Sequence, residues 1–93
     1  MNPSDTFAVS EEVVARRLGE EIVLLDLSSG VYFGLDAVGA RVWELLSEKP
    51  RSLAQLAEHV EAEFSAPRAT IEEDLRDLAR VLRERDLIVI RPA

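Results

Sequence analysis

The sequence predicts an α+β domain in which a three-stranded antiparallel sheet is followed by three helices, an order that also fits a winged helix-turn-helix-like fold. Apolar residues in the first part of the chain form short runs with the period of two that is typical of strands. Further along, apolar residues recur at intervals of three and four, which is typical of amphipathic helices. No linker separates the two parts, so the chain is predicted to form one domain.

Three strands are predicted, at residues 13–18, 21–27 and 31–35. The last two are joined by a short loop ending in Gly30, which can adopt the positive φ that closes a hairpin. The second strand is apolar at four consecutive positions, Ile22–Leu25, so it is predicted to be central and covered on both faces. The third strand has no predicted partner on its far side. Its open edge could therefore recruit another chain.

Three helices are predicted, at residues 36–48, 52–64 and 70–85. Asp36 can cap the first, and Pro50 ends it. The other two begin with capping-box pairs, Ser52 with Gln55 and Thr70 with Glu73. Asp86 closes the third helix.

The two ends of the chain are predicted to contribute little to the domain, which is placed at residues 13–90. Residues 1–12 are predicted to be a partly ordered arm and residues 91–93 a tail. The apolar segment from Leu87 to Ile90 is compatible either with a small strand or with simple packing against the domain.

Composition excludes several classes of protein. The 93 residues are 47% hydrophobic and 31% charged, an ordinary balance for a folded domain. The absence of cysteine excludes disulfides, thiolate catalysis and cysteine-ligated zinc. No stretch of the sequence resembles a signal peptide or a membrane span, so a cytoplasmic location is expected. The formal charge of −7 disfavours nucleic acid as a partner.

Catalytic and metal-binding motifs are also missing from the sequence. His59 and Glu63 could share one face of the second helix, but one such pair supplies too few ligands for a metal site. The carboxylates early in the third helix are explained by the favourable interaction of acids with a helix N-terminus. No catalytic residue, metal site or cofactor is therefore predicted, and the chain is not expected to be an enzyme.

The third helix separates two functional interpretations. Its arginines, which a recognition helix would need to contact DNA, each have a carboxylate three or four residues away and are predicted to form intrahelical ion pairs. Val81 lies beside the core stripe, on one line with Asp74, Leu78 and Arg85. It either lines a groove or packs against the C-terminal segment.

Three segments together resemble a known family: LLDLSSGVYFGLDAVGARVWELL at residues 24–46, SLAQLAEHVEAEF at 52–64 and DLRDLARVLRERDLI at 74–88. The chain is identified as a member of the PqqD-like RiPP recognition elements, which bind leader peptides of ribosomally made natural products. More narrowly, it resembles the stand-alone members of split lasso-peptide systems. Asp86 departs from the glycine common at this position, but aspartate tolerates the same left-handed conformation.

The resemblance implies that a leader peptide adds as a fourth strand along the third strand and against the third helix. The implied binding residues are Val31, Tyr32, Phe33, Gly34 and Leu35 on the strand, with Asp74, Asp77, Leu78, Val81, Leu82 and Arg85 on the helix. The backbone edge would set the register of the leader, and apolar leader side chains would fill pockets between strand and helix.

The implied partners are the precursor leader peptide, a leader peptidase and an ATP-dependent cyclase, with no cofactor, nucleic acid or membrane. Either a monomer or a weak dimer formed through the open edge is compatible with the sequence. Two alternatives stay open: a PqqD-type peptide chaperone for a radical-SAM modifying enzyme, and a winged-helix DNA-binding regulator.

Overall fold

The computed structural model describes residues 4–91, which contain six strands and three helices. In chain order these are β1 (Thr6–Val9), β2 (Val13–Leu18), β3 (Glu21–Asp26), β4 (Tyr32–Leu35), α1 (Ala37–Glu48), β5 (Arg51–Ser52), α2 (Leu53–Glu63), α3 (Arg68–Glu84) and β6 (Ile88–Arg91). The α+β class is therefore confirmed. The three predicted strands and three predicted helices are present with boundaries shifted by no more than two residues.

The described residues form two antiparallel sheets instead of the single sheet expected. One is the predicted meander, in the order β2, β3, β4. The other has the order β5, β1, β6 and joins the two ends of the chain to the connection between α1 and α2. The second sheet escaped prediction because its strands are only two to four residues long and far apart in sequence.

The N-terminal region is part of the domain, which corrects the prediction of a partly ordered arm over residues 1–12. Within it, β1 pairs with β6 from Thr6 opposite Arg91 to Val9 opposite Ile88. Phe7 is 1% exposed and belongs to the core. Residues 1–3 of the expected arm and residues 92–93 of the expected tail lie outside the described residues. The segment after α3 adopts the first of its two alternatives, a strand.

Strand β3 is central in its sheet, as its apolar sequence predicted, but only one of its faces is fully covered. Ile22 and Leu24 are buried against the helices, whereas Val23 and Leu25 are only half-buried on the outer face. The unbroken apolar run was misleading because the outer face of this sheet carries apolar residues without a covering layer.

Capping interactions define the starts of α1 and α2. The Asp36 carboxylate accepts a hydrogen bond from the backbone N–H of Gly39 at 2.9 Å. Ser52 and Gln55 form the predicted capping box. Both arrangements satisfy backbone donors that would otherwise lack intrahelical partners.

Helix α3 starts two residues earlier than the predicted box at Thr70. Pro67 is its N-cap residue and makes no side-chain capping bond, so Thr70 lies inside the first turn. The fixed φ of proline is already close to the helical value, which favours an early start. At the other end Asp86 has φ 58°, the left-handed conformation proposed for it.

The hydrophobic core lies between the helices and the inner faces of the two sheets. Its largest fully buried side chains come from both sheets, the three helices and the segment after α3: Phe7, Leu24, Leu45, Val60, Leu82 and Leu87. Trp43 is also buried. The core holds β4 and the C-terminal end of α3 in fixed positions next to one another.

Candidate functional site

The free edge of β4 is the first component of the candidate site. Strand β4 pairs with β3 on one side and with no other strand of residues 4–91 on the other. The backbone N–H of Asp26 donates to the carbonyl of Val31 at 3.0 Å, which places these two residues in a hydrogen-bonded pair. Because such pairs alternate along antiparallel strands, the N–H and C=O groups of Tyr32 and Gly34 point away from β3. The edge therefore offers backbone donors and acceptors to an added strand.

The turn before β4 is organised by one carboxylate. The Asp26 side chain accepts hydrogen bonds from the Ser28 hydroxyl at 2.8 Å, the Ser28 N–H at 3.0 Å and the Ser29 hydroxyl at 2.9 Å. These bonds, led by the one from the Ser28 hydroxyl, lower the pKa of Asp26 below the ordinary 3.8. Gly30 completes the turn with φ 74°. The start of the edge strand is thereby fixed by local hydrogen bonds.

A groove of about 290 Å³ lies between this turn, β4 and the end of α3. Apolar and charged side chains line it together: Asp26, Ser28, Ser29, Val31, Phe33, Arg85, Asp86 and Leu87. The guanidinium carbon of Arg85 is 5.1 Å from the centre of the Phe33 ring, within the range of a cation–π contact. The groove can accept an apolar side chain over Phe33 and Leu87 and a polar group at its rim.

The structure brings three of the predicted site residues into this groove: Val31, Phe33 and Arg85. Val81 lies one helical turn before Arg85 on the same face of α3 and is half-buried, without packing against the core. Val31 and Phe33 on the strand therefore meet Arg85 at the end of α3, and Val81 lies on the same helix face as Arg85. They are the part of the predicted set that an added strand could contact.

The other predicted residues have different surroundings. Leu82 is 1% exposed and Leu35 4% exposed, so both side chains belong to the core. Leu78 is half-buried and packs against that core. Among the exposed residues, Tyr32 faces the outer side of the sheet, where 68% of it is accessible.

Two predicted acidic residues, Asp74 and Asp77, are exposed on α3. Asp77 accepts a hydrogen bond from Arg80 at 3.0 Å. Pairing along the helix was predicted for four arginines: Arg76, Arg80, Arg83 and Arg85. Of these, only Arg80 forms such a pair within residues 4–91. Arg76, Arg83 and Arg85 make no ion pair there, which corrects the expectation that each would pair along the helix. The remaining member of the strand set, Gly34, has open space where a Cβ would lie.

Five residues of the groove were not predicted: Asp26, Ser28, Ser29, Asp86 and Leu87. An aspartate followed at two and three positions by serine is a recognisable hydrogen-bonded turn signal, so the first three could have been found. Asp86 and Leu87 could not, because their place beside β4 depends on how α3 packs.

His59 and Glu63, which were considered as a metal-binding pair, each contact an arginine instead. Nε2 of His59 lies 3.3 Å from the Arg51 guanidinium, and Glu63 accepts a hydrogen bond from Arg41 at 2.8 Å. Residues 4–91 contain no group of three or more histidine, aspartate or glutamate side chains arranged to hold a metal ion. Within the same residues, no helix combines the length and apolar character needed to cross a bilayer.

Comparison with known proteins decides the family. The model of "Coenzyme PQQ synthesis protein D (PqqD)" matches residues 21–88, which include β3, β4 and all of the helices. The chain belongs to the PqqD family. No curated protein matches the chain.

Two solved structures share the PqqD fold of this chain. One, described as "TbiB1 in Complex with the TbiA(beta) Leader Peptide", is 43% identical, has a TM-score of 0.80, and matches 87% of this chain and 93% of its own. The other, "Lasso peptide synthetase B1 complexed with the leader peptide", is 26% identical with a TM-score of 0.77, covering 89% and 96%. Both similar proteins were therefore solved with a leader peptide bound.

Proposed function

We propose that this PqqD-family chain binds the leader peptide of a ribosomally synthesised precursor, of the lasso-peptide class, by addition of a strand to β4. The observation that carries the proposal is the free β4 edge beside the groove lined by Phe33 and Arg85. The similarity of the chain to two proteins solved with leader peptides supports the same interpretation.

In the proposed complex, the backbone groups of Tyr32 and Gly34 hydrogen-bond to the leader and set its register. One apolar leader side chain enters the groove over Phe33, and another contacts Val81 on α3. Association orders a flexible peptide, which subtracts from the gain of these contacts, so we expect an affinity in the micromolar range or tighter.

The chain is proposed to act without chemistry of its own, as a carrier that delivers the precursor to a leader peptidase and then to an ATP-dependent cyclase. This role suits a small domain whose groove combines an open strand edge with apolar anchors, and in which Asp26 holds the Ser28 and Ser29 hydroxyls as part of the turn. The cytoplasm, where ribosomal precursors are made, is the proposed compartment, and a monomer is the proposed free state.

A PqqD-type chaperone for a radical-SAM enzyme is the second candidate, favoured by the description of the matching family model. It uses the same edge and groove, and differs only in the enzyme that receives the peptide. Co-purification with each candidate enzyme in the presence of precursor separates the two roles.

The winged helix-turn-helix-like description is also retained as a proposal, with α2 and α3 as the helical pair and the β2–β3 hairpin as the wing. A DNA-binding role for that arrangement would give duplex binding that weakens steeply with salt. The formal charge of −7 opposes such binding.

Fluorescence anisotropy of a labelled leader peptide titrated with the purified protein tests the main proposal. The leader is taken from the precursor gene nearest to the gene for this chain, and a scrambled leader of the same composition is the control. Saturation by the leader alone supports the proposal. Equal binding of both peptides, or none by a folded protein, contradicts it.

A further inference from the structure

A second open strand edge lies on the other sheet, away from β4. Strand β6 pairs with β1 on one side and with no other strand of residues 4–91 on its opposite side. The N–H of Ser10 donates to the Leu87 carbonyl at 3.0 Å, which sets the alternation of hydrogen-bonded pairs along β1 and β6. By that alternation, the backbone groups of Ile88 and Ile90 point away from β1.

This edge borders a groove of about 410 Å³, larger than the one beside β4. Three consecutive strand residues, Ile88 to Ile90, form one wall. The last turns of α3 form the other, through Arg80, Arg83 and Glu84. The combination of a strand edge and a helix wall repeats the geometry of the β4 groove.

Charges in this groove are unevenly placed. Arg83 makes no ion pair within residues 4–91, and Arg80 makes only the exposed contact with Asp77. Such an exposed pair contributes little and exchanges readily for another carboxylate. Glu84 and Asp86 follow the arginines at the turn into β6, so the helix wall is cationic before the turn and anionic at it.

The two faces of β6 define what an added strand would carry. Ile88 is buried and faces the core, whereas Val89 is 47% exposed on the other face. Alternate residues of an added strand therefore meet either the α3 wall, where Arg80 and Arg83 stand, or the apolar surface around Val89. In a strand with alternating acidic and apolar residues, the carboxylates would contact Arg80 and Arg83 on α3, and the apolar side chains would contact the surface around Val89.

We infer that the β6 edge is a second strand-addition site, which binds an extended segment of a partner protein in which acidic and apolar residues alternate. Because Asp86 lines both grooves from the end of α3, the two sites adjoin the same helix terminus but use different sheets. The domain can then hold two extended chains at once. One site takes a segment of a partner protein, and the β4 site stays available to the leader.

The test uses two capped hexapeptides as probes, (Val-Glu)₃ and (Val-Lys)₃, titrated into ¹⁵N-labelled full-length protein and followed by ¹H–¹⁵N NMR. The expected result is saturable shifts of the Ile88–Ile90 amides with the glutamate peptide, at least about tenfold weaker with the lysine peptide. A double variant, R80E with R83E, should reverse the preference. The matched variant R76E, on α3 outside this groove, should retain it.

Three outcomes would overturn the inference. Shifts confined to Tyr32–Leu35 would assign the probe to the β4 edge. Unchanged spectra at millimolar peptide would leave β6 without this ligand class. Concentration-dependent shifts of β6 amides without peptide would assign the edge to a second copy of the chain. Leader binding is read independently at β4, so failure at β6 leaves the proposed function intact.

Discussion

The guanidinium carbon of Arg85 lies 5.1 Å from the centre of the Phe33 ring and so connects the end of α3 to the edge strand β4. Phe33 shares its face of the sheet with Leu24, which is completely buried. The Phe33 ring therefore packs against the core on one side and contacts the Arg85 guanidinium on the other. This contact closes one side of the groove in which we place a leader side chain.

Removing the Arg85 side chain should weaken leader binding. We expect R85A to lower leader affinity by about two- to thirtyfold, because it removes a cation–π contact, worth about 0.5–2 kcal/mol, that holds the Phe33 wall of the groove in place for the leader. Anisotropy titration with the labelled leader measures the change. R76A, which removes an α3 arginine outside the groove, is the matched control, and equal losses for both variants would point to a general charge effect instead.

The backbone edge can be tested at a position that has room for a side chain. G34P removes an N–H that points away from β3, and we expect at least about a tenfold loss of leader affinity from the lost hydrogen bond and the disturbed edge. G34A keeps that N–H and adds a Cβ where no other atom lies within 4 Å, so its affinity should stay within about twofold. Circular dichroism checks that both fold. Equal binding by both variants would exclude strand addition here.

The helix face next to the groove is best tested at Val81, one turn before Arg85. A charge at this half-buried position, as in V81D, would be desolvated by a bound leader, and we expect about a tenfold or greater loss of affinity. The comparison is L78D, which places a charge against the core and should mainly lower the unfolding temperature. Thermal unfolding and anisotropy are measured on each variant. Undiminished binding by V81D would remove Val81 from the site.

The turn before β4 makes a prediction about pH. Hydrogen bonds from Ser28 and Ser29 lower the pKa of Asp26, so its contribution to folding is present above the unfolded pKa of 3.8 and is lost as pH falls through the lower folded pKa. Neutral and mildly acidic solutions should therefore leave the turn intact. In S28A, the pKa of Asp26 should rise toward 3.8, as followed by NMR titration of its carboxyl carbon. A pKa unchanged by S28A would show that the Ser28 hydroxyl is not the main cause.

The N-terminal strand should be essential for stability. F7A removes a side chain that is 1% exposed, and we expect a loss of about 3–5 kcal/mol in the free energy of unfolding, measured with urea. V14A, at a position that is 50% exposed on β2, should cost about 0.5 kcal/mol or less. If F7A were as mild as V14A, β1 would be dispensable and the domain would indeed begin near Val13.

Much of the candidate site was predictable because its signals are local. Alternation located β4, and helical spacing placed Val81 and Arg85 on one face of α3. The Asp26 turn also has a local signature in its aspartate and two serines, although its prediction rested on Gly30 alone. Burial was harder to predict. Leu82 and Val81 are apolar neighbours on the helix, yet only Leu82 is fully buried. The burial of each side chain depends on what α3 packs against.

The sequence by itself determined the α+β class, the β2–β3–β4 meander, the three helices and two of their caps, because each rests on periodicity or on contacts within a few residues. Only the tertiary structure decided that β1 pairs with β6, that a second sheet exists and that its edge faces Arg80 and Arg83. Those features depend on backbone hydrogen bonds between segments at opposite ends of the chain. Backbone groups are nearly the same in every residue, so the sequence carries almost no sign of which distant strands will join.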